Sequence, residues 1–238
     1  MTYLLTRPRP KMLKSQQAFD KAGLSVSVIA PVDIEYCGNS ARQAGECCAQ
    51  HPDTLLIVTS TFAAQALLQN KSAFQPRQPV LAVGRSSADI LARHFTDVDC
   101  PLNETSEGLL AHLQAKDDNF TRVAIIKGEG GRTTIADTLL ASAFSVHQFC
   151  LYKRIALKSP EQTNQWQWAD VKGIIATSKE MATRLFAYYD NAELNRPPWL
   201  VVSERIRAEL ADLGVKNAAV CPGASDAALI AWVKENWE

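Results

Sequence analysis

The sequence predicts an α/β protein, an open and largely parallel β-sheet covered by helices on both faces and present in two similar copies. Three observations predict this. Short apolar runs of strand length alternate with longer segments of helical period, several of these blocks recur half a chain further on, and the composition is that of an ordinary globular protein, 47% hydrophobic and 21% charged over 238 residues. Repeated strand-then-helix order favours parallel strands, because each helix carries the chain back to start the next strand in the same direction. At this length, one large domain and two small ones are both open.

In chain order, YLLT (3–6), VSVIA (26–30), LLIVT (55–59), VLAV (80–83), VAII (123–126), GIIAT (173–177) and WLVV (199–202) read as strands. Between or after them, SQQAFDKAG (15–23), TFAAQALLQ (61–69), SADILARHF (87–95), IADTLLASA (135–143), SKEMATRLFAYY (178–189) and ERIRAELADLG (204–214) place apolar residues three or four apart and read as helices. The polar stretch KSPEQTNQ (158–165) reads as a loop, and NRPP (195–198) as the approach to a strand. Neither is long enough for a disordered linker.

The repeat decides the architecture. IVTSTFAAQAL (57–67) resembles IIATSKEMATRL (174–185), AVGRSSADIL (82–91) resembles VVSERIRAEL (201–210), and TSEGLLAHL (105–113) resembles ASDAALIAW (224–232). Ser60 and Ser178 are 118 positions apart, and Gly84 to Ser203 and Ser106 to Ser225 are each 119. LLTRPRP is matched in the same way by IIKGEGGR, 121 positions on from Leu4 to Ile125. So constant a shift over four separated blocks marks two copies of one fold. Repetition alone puts their junction at AKDDNF (115–120).

Charge excludes several functions. Lys plus Arg and Asp plus Glu each number 25, so the molecule as a whole has no attraction for nucleic acid or anionic lipid, and neither is expected as a partner. Any anion site must be local. The opening MTYLLTRPRPK has a three-residue apolar run before Thr6 and Arg7, short of a signal-peptide core or a membrane span, and a cytoplasmic protein is expected. The six cysteines (37, 47, 48, 100, 150 and 221) form no CxxC pair and have no His at ligand spacing, so reduced thiols are expected rather than a metal site.

Polar residues converge at the ends of the expected strands: Thr6-Arg7, Thr59-Ser60-Thr61, Gly84-Arg85-Ser86-Ser87, Lys127 through Arg132, Thr177-Ser178-Lys179 and Ser203-Glu204-Arg205. In open α/β sheets ligands sit beyond these carboxyl ends, where helix N-termini begin and backbone N–H groups are unpaired. Small, hydroxylated and cationic residues in that position suit a carboxylate or a phosphate. Plain N-capping accounts for any one of Ser60, Ser87, Ser178 and Ser203 taken alone, so the reading rests on the several ends together. KGEGGR (127–132) matches neither GxGxxG nor GxxxxGK[ST], which leaves a tight turn with exposed amides rather than a nucleotide loop. No GxSxG, HExxH or paired-carboxylate motif is present, and His51, His94, His112 and His147 lie away from the strand ends. Tyr152, in CLYKR between Leu151 and the cations Lys153 and Arg154, is a hydroxyl donor flanked by positive charge and a candidate acid. An amphipathic tyrosine at a sheet edge is the plainer reading of the same residue.

Taken in order, LLTRPRP, PVDIEY (31–36), VTSTFAAQAL, AVGRSSADIL, SEGLLAHL, KGEGGR, LYKR, ATSKEMATRL, SERIRAELADLG and GASDAALI resemble the uroporphyrinogen-III synthase family over the whole chain. The resemblance implies two flavodoxin-like domains, each a doubly wound parallel sheet, joined by a two-stranded β-ladder. Domain one would take residues 1–33 with 155–238, domain two 37–150, and the connecting strands 33–37 and 150–154. It implies that hydroxymethylbilane, a linear tetrapyrrole with eight carboxylates, is closed to uroporphyrinogen III with loss of water and inversion of the last ring through a spiro intermediate. No cofactor is implied, and the expected state is a monomer whose one protein partner is transient, the enzyme that makes its substrate. Tyr152 matches the family's proposed tyrosine, and Thr59, Ser60, Ser87, Ser178 and Ser203 match positions of cleft Ser or Thr, with Ser87 and Ser203 standing where relatives often have Thr. Gly84 and Gly128 join these as substrate-binding positions. Arg7, Arg85, Lys127, Arg132 and Arg205 are the candidate carboxylate contacts read from the residues themselves. A non-catalytic two-lobed α/β module that binds a polycarboxylate or tetrapyrrole is the alternative.

Overall fold

The computed structural model describes residues 1–116 and 120–238. The centre of the AKDDNF junction therefore lies outside the described residues. The chain runs through β1 (Thr2–Thr6), α1 (Met12–Lys21), β2 (Val26–Tyr36), α2 (Gly38–Gln50), β3 (Leu55–Val58), α3 (Thr61–Gln69), β4 (Val80–Ala82), α4 (Arg85–Leu91), β5 (Val98–Asp99) and α5 (Ser106–Ala115). It continues through β6 (Arg122–Gly128), α6 (Thr134–Ala141), β7 (Ser145–Gln162), β8 (Val171–Ala176), α7 (Lys179–Leu185), α8 (Asn191–Asn195), β9 (Trp199–Val201), α9 (Glu204–Asp212), β10 (Ala218–Val220) and α10 (Asp226–Asn236).

These elements form two compact units, Met1–Ile34 with Ile155–Glu238, and Glu35–Arg154. In the first the strand order is β2-β1-β8-β9-β10, and in the second β7-β6-β3-β4-β5. The pairs within each order are parallel. With the strands of each unit numbered from β1 and from β6, both orders read 2-1-3-4-5, the flavodoxin-like doubly wound arrangement, whose ligand crevice lies between strands 1 and 3. The chain passes between units inside β2 and again inside β7. On one side of the crossing, Cys37 N–H donates to Leu151 O, and on the other Thr163 N–H donates to Val28 O.

Alternating residues of one strand fill both faces of the first unit. Tyr3 and Leu5 join Phe19, Val28, Leu229 and Val233 on one side, and Leu4 joins Ile29, Leu185, Trp199 and Ile206 on the other. Both sets are almost wholly buried, each large side chain contributing about 1.5–3 kcal/mol relative to exposure. In the second unit Leu55, Ile57, Val123 and Ile125 pack under Leu109, Ile135 and Leu139 of α5 and α6.

Two readings of the sequence change here. The stretch expected as a loop over 158–165 is strand as far as Gln162, because β7 runs beside β2. Ser27 Oγ donates to Asn164 O and Asn164 Nδ2 to Val26 O beyond its end. Its polar residues are mostly exposed, so backbone pairing rather than burial makes it a strand. The second is α2, a helix absent from the expected set. It buries a face of Ala41, Ala44, Gly45 and Cys48, and at Gly45 it approaches so closely that a Cβ would come within 2.6 Å of Ala73 Cβ.

A candidate active site at the strand ends of the second unit

At the carboxyl end of β3 the chain leaves the sheet through Thr59 and Ser60. Ser60 is extended (φ −163°) and caps α3, its Oγ accepting the Ala63 N–H at 3.2 Å. Thr59 donates from its Oγ1 to Ile126 O at 3.3 Å, tying this exit to the neighbouring strand β6. β6 and β7 keep regular register from Arg122 and Ser145 to Lys127 and Cys150, and then a bulge sets Gly128 opposite Tyr152. The bulge is closed by Glu129 N–H donating to Tyr152 O at 2.8 Å. Gly130 and Gly131 follow with φ of +72° and +84°, the left-handed region that glycine enters without cost, and turn the chain into α6.

This places the Tyr152 ring against Gly128, 3% exposed, with its hydroxyl 3.1 Å from Ser60 Oγ. Phe62 packs beside it at 5.7 Å between ring centroids, and the Arg154 guanidinium lies 5.9 Å from its centroid. Lys153, the other nearby cation in sequence, is paired with Glu35 at 2.7 Å. In front of the tyrosine lies a cavity of about 220 Å³ at the crevice between strands 1 and 3 of this unit. Val83, Ile125, Ile135 and Ala136 make its apolar floor, and Lys127, Arg132 and Arg154 bring positive charge to its walls. Lys127 Nζ is 3.5 Å from Gln148 Oε1, and Arg132 is 3.8 Å from Glu107.

Of the residues expected from sequence, the cavity brings together Thr59, Ser60, Lys127, Gly128, Arg132 and Tyr152. Gly84, Arg85 and Ser87 lie at the next strand end, with Gly84 capping α4, Arg85 exposed and Ser87 buried. Gly84 is crowded by its own chain, since a Cβ there would meet Glu104 Oε2 at 2.4 Å. Four expected residues belong to the first unit. Ser178 and Ser203 cap α7 and α9 by accepting Met181 N–H and Ile206 N–H, and Arg205 is exposed on α9.

Arg7, expected to meet a substrate carboxylate, is 7% exposed and gives four of its five N–H groups to partners within its own unit. Its guanidinium donates to Ser15 Oγ, Thr177 Oγ1, Ala224 O and Asp226 Oδ1, the last at 2.6 Å. Burial and the adjacent Arg7 charge together push the Lys11 ammonium below its ordinary value. Sequence reasoning missed Ser106 and Gln148 as cavity residues. Gln148 carried a signal, since it stands two positions from Cys150 on the strand that leads to Tyr152. Among the described residues no three His, Cys, Asp or Glu side chains gather as a metal site, and no helix is long and apolar enough to cross a membrane.

The arrangement presents one buried phenol to a small cleft with cationic walls and an apolar floor. Such a cleft can receive an anionic group beside a proton donor. The model of the uroporphyrinogen-III synthase HemD family matches residues 14–231. The uroporphyrinogen-III synthase of Escherichia coli (strain K12) is 29% identical over 245 residues, spanning 97% of this chain and 98% of that protein. That of Salmonella typhimurium is 30% identical over 256 residues, with 97% and 98% covered. Among solved structures, a mutant uroporphyrinogen III synthase from the extremely thermophilic bacterium Thermus thermophilus superposes with a TM-score of 0.63 at 13% identity, covering 98% of both chains. The uroporphyrinogen-III synthetase of Helicobacter pylori 26695 does so with a TM-score of 0.60 at 14% identity, covering 99% of both. Those two structures agree in fold, and the family match over nearly the full chain settles the rest: this chain belongs to the uroporphyrinogen-III synthase family of enzymes.

Proposed function

We propose that the protein closes hydroxymethylbilane to uroporphyrinogen III, and that Tyr152 is its proton donor. The observation that carries the assignment of the donor is the Tyr152 hydroxyl, fixed 3.1 Å from Ser60 at the wall of a cleft with cationic sides. The hydroxyl of the substrate's terminal hydroxymethyl group leaves as water once it is protonated, its carbon–oxygen bond breaking as the adjoining pyrrole supplies an electron pair, and the methylene carbon that remains becomes the electrophilic end of an azafulvene. The substituted α-carbon of the last pyrrole attacks it and forms a spiro centre. That centre breaks at its older carbon–carbon bond, and the freed ring recloses through its unsubstituted α-carbon with loss of a proton, now inverted.

The electrons come from the substrate. The protein holds one curled conformer and lowers the barrier to leaving-group departure, which needs positioning and one acid. At about 220 Å³ the cavity is smaller than the pockets of about 300–1,000 Å³ that enclose whole ligands, so it receives one end of the tetrapyrrole. Lys127 and Arg132 then meet the acetate and propionate groups of that end, while the floor around Ile125 and Ile135 keeps water from the azafulvene. On this reading the protein works in the cytoplasm as a monomer.

Incubation with freshly generated hydroxymethylbilane, followed by oxidation and separation of porphyrin isomers, tests the proposal. Isomer III in excess over the spontaneous isomer I is expected. Isomer I alone would leave a tetrapyrrole-binding module without turnover.

A further inference from the structure

We infer that Gly128 and Ser60 serve the reaction as positioning residues that act through Tyr152, rather than as receivers of substrate carboxylate. The inference rests on the reading of Tyr152 as proton donor and adds what holds it. Two independent observations support it.

The first is space. A Cβ on Gly128 would lie 2.4 Å from Tyr152 Cζ and 2.7 Å from both Cε2 and the hydroxyl oxygen. Carbon atoms do not approach so closely, so any side chain at 128 drives the ring off its seat. The φ of Gly128 is outside the left-handed range, which makes the constraint one of room and not of backbone conformation. The bulge after Lys127 gives this glycine its place, because it sets residue 128 beside residue 152 where regular register would have paired it with Leu151.

The second is the capacity of one hydroxyl. Ser60 has one proton and two lone pairs, and the Ala63 N–H occupies one of those pairs at 3.2 Å. The oxygen is therefore pinned to the first turn of α3, and either hydroxyl can donate across the 3.1 Å to the other. With Ser60 as the donor, the Tyr152 proton is left for the cleft, and the Ser60 hydrogen bond stays on the tyrosine oxygen once that proton has gone to the leaving hydroxyl. The hydroxyl group thus faces inward, toward the tyrosine and its own helix.

The test uses Gly128→Ala, Ser60→Gly and Ser60→Thr, each in the native chain and in Tyr152→Phe. Ser60→Gly removes the hydroxyl while keeping a residue that caps helices well, and Ser60→Thr restores it. The readouts are the rate of isomer III formation and the NMR signal of 13Cζ-labelled tyrosine, with the Tyr152 line assigned by its loss in Tyr152→Phe. Expected are a fall of about tenfold or more for Gly128→Ala and Ser60→Gly, recovery to within about threefold in Ser60→Thr, and a displaced Tyr152 line in the two impaired variants. Added to Tyr152→Phe, each should change the rate by less than about twofold, as residues acting through one group do.

Equal falls in both backgrounds, or rates and a tyrosine line unchanged from the native protein, would overturn the inference. A fully active Tyr152→Phe would overturn it too, with isomer III formation still standing. If the native protein makes only isomer I, the catalytic reading fails separately, and an unmoved tyrosine line then rejects the positioning as well.

Discussion

The two units carry similar strand ends and furnish them differently. In Glu35–Arg154, Thr59 and Ser60 follow β3, Gly128 ends β6, and Ser106 opens α5 beside the cavity. In the other unit Thr177 and Ser178 follow β8, Arg7 stands in the place of Gly128, and Ser225 and Asp226 open α10. There the Arg7 side chain donates to Thr177 and Asp226. One copy has a cavity beside a glycine and walls it with a tyrosine, and the other carries at the corresponding place a buried arginine paired with a partly buried aspartate. A doubly wound fold offers a ligand site at each crevice, and the residue after strand 1 is what differs between these two.

The comparison can be broken at Arg7. Arg7→Ala leaves Asp226, whose side chain is 20% exposed, with Ser15 as a donor but without its cationic partner, and should cost the first unit about 3 kcal/mol in denaturant unfolding. A loss under about 1 kcal/mol would mean that the ion pair contributes no more than a surface pair. At the open site the largest effect falls on rate instead. Tyr152→Phe should lower isomer III formation about a hundred-fold, the ordinary worth of a general acid, with little change in stability. Full activity would remove the tyrosine from the chemistry.

A finer test compares the paired serines. Ser60→Ala and Ser178→Ala each remove an N-cap and should each cost about 1 kcal/mol. Of the two, Ser60 touches the tyrosine and should carry a further rate defect through it. If both variants lose turnover alike, capping alone explains the serines.

The smallest effect is electrostatic and belongs to the far end of the second unit. Burial raises the Asp99 carboxyl, but hydrogen bonds from Lys116, His112 and the Cys100 N–H outweigh it and hold the group at about 2. A carboxyl with a folded value below its unfolded one contributes stability above the ordinary carboxylate range, and that stability is lost as pH falls toward 2. Asp99→Asn should therefore melt below the native protein at neutral pH and converge with it in acid. Melting curves that stay parallel from neutral pH down through the acid range would contradict this.

Much of the fold was legible because buried parallel strands are plain apolar runs. LLIV (55–58) and WLV (199–201) are strands where expected, and Ser60 caps α3 as its position before TFAAQ suggested. β5 and β10 escaped notice since they have two and three residues and lie at sheet edges, where partial exposure relaxes the demand for apolar side chains. α2 was hidden by Gly38, Asn39 and Gly45, poor helix formers, of which Gly45 is where the helix packs closely on Ala73. At the site, Tyr152 and Lys127 could be named from their place along the chain. The fate of Arg7 could not, for its acidic partner is 219 residues away and enters only through the fold. The seat at Gly128 depends on a bulge, and a one-residue slip in register leaves no trace in hydrophobic pattern.

The division of the chain into one continuous and one split unit also sets an order for its making. Residues 35–154 hold all the parallel pairs of the second sheet order, β7-β6-β3-β4-β5, so these pairs can form once residue 154 has left the ribosome. The segment Met1–Ile34 emerges earlier and must wait, because β1 takes β8 as a neighbour and Leu4 is buried against residues beyond 170. At about 5–20 residues per second that delay is on the order of ten seconds. During it, β1 has β2 beside it but lacks β8, and Tyr3, Leu4 and Leu5 lack most of the side chains that bury them, which makes nascent-chain chaperones more important to this half than to the half that holds the cleft.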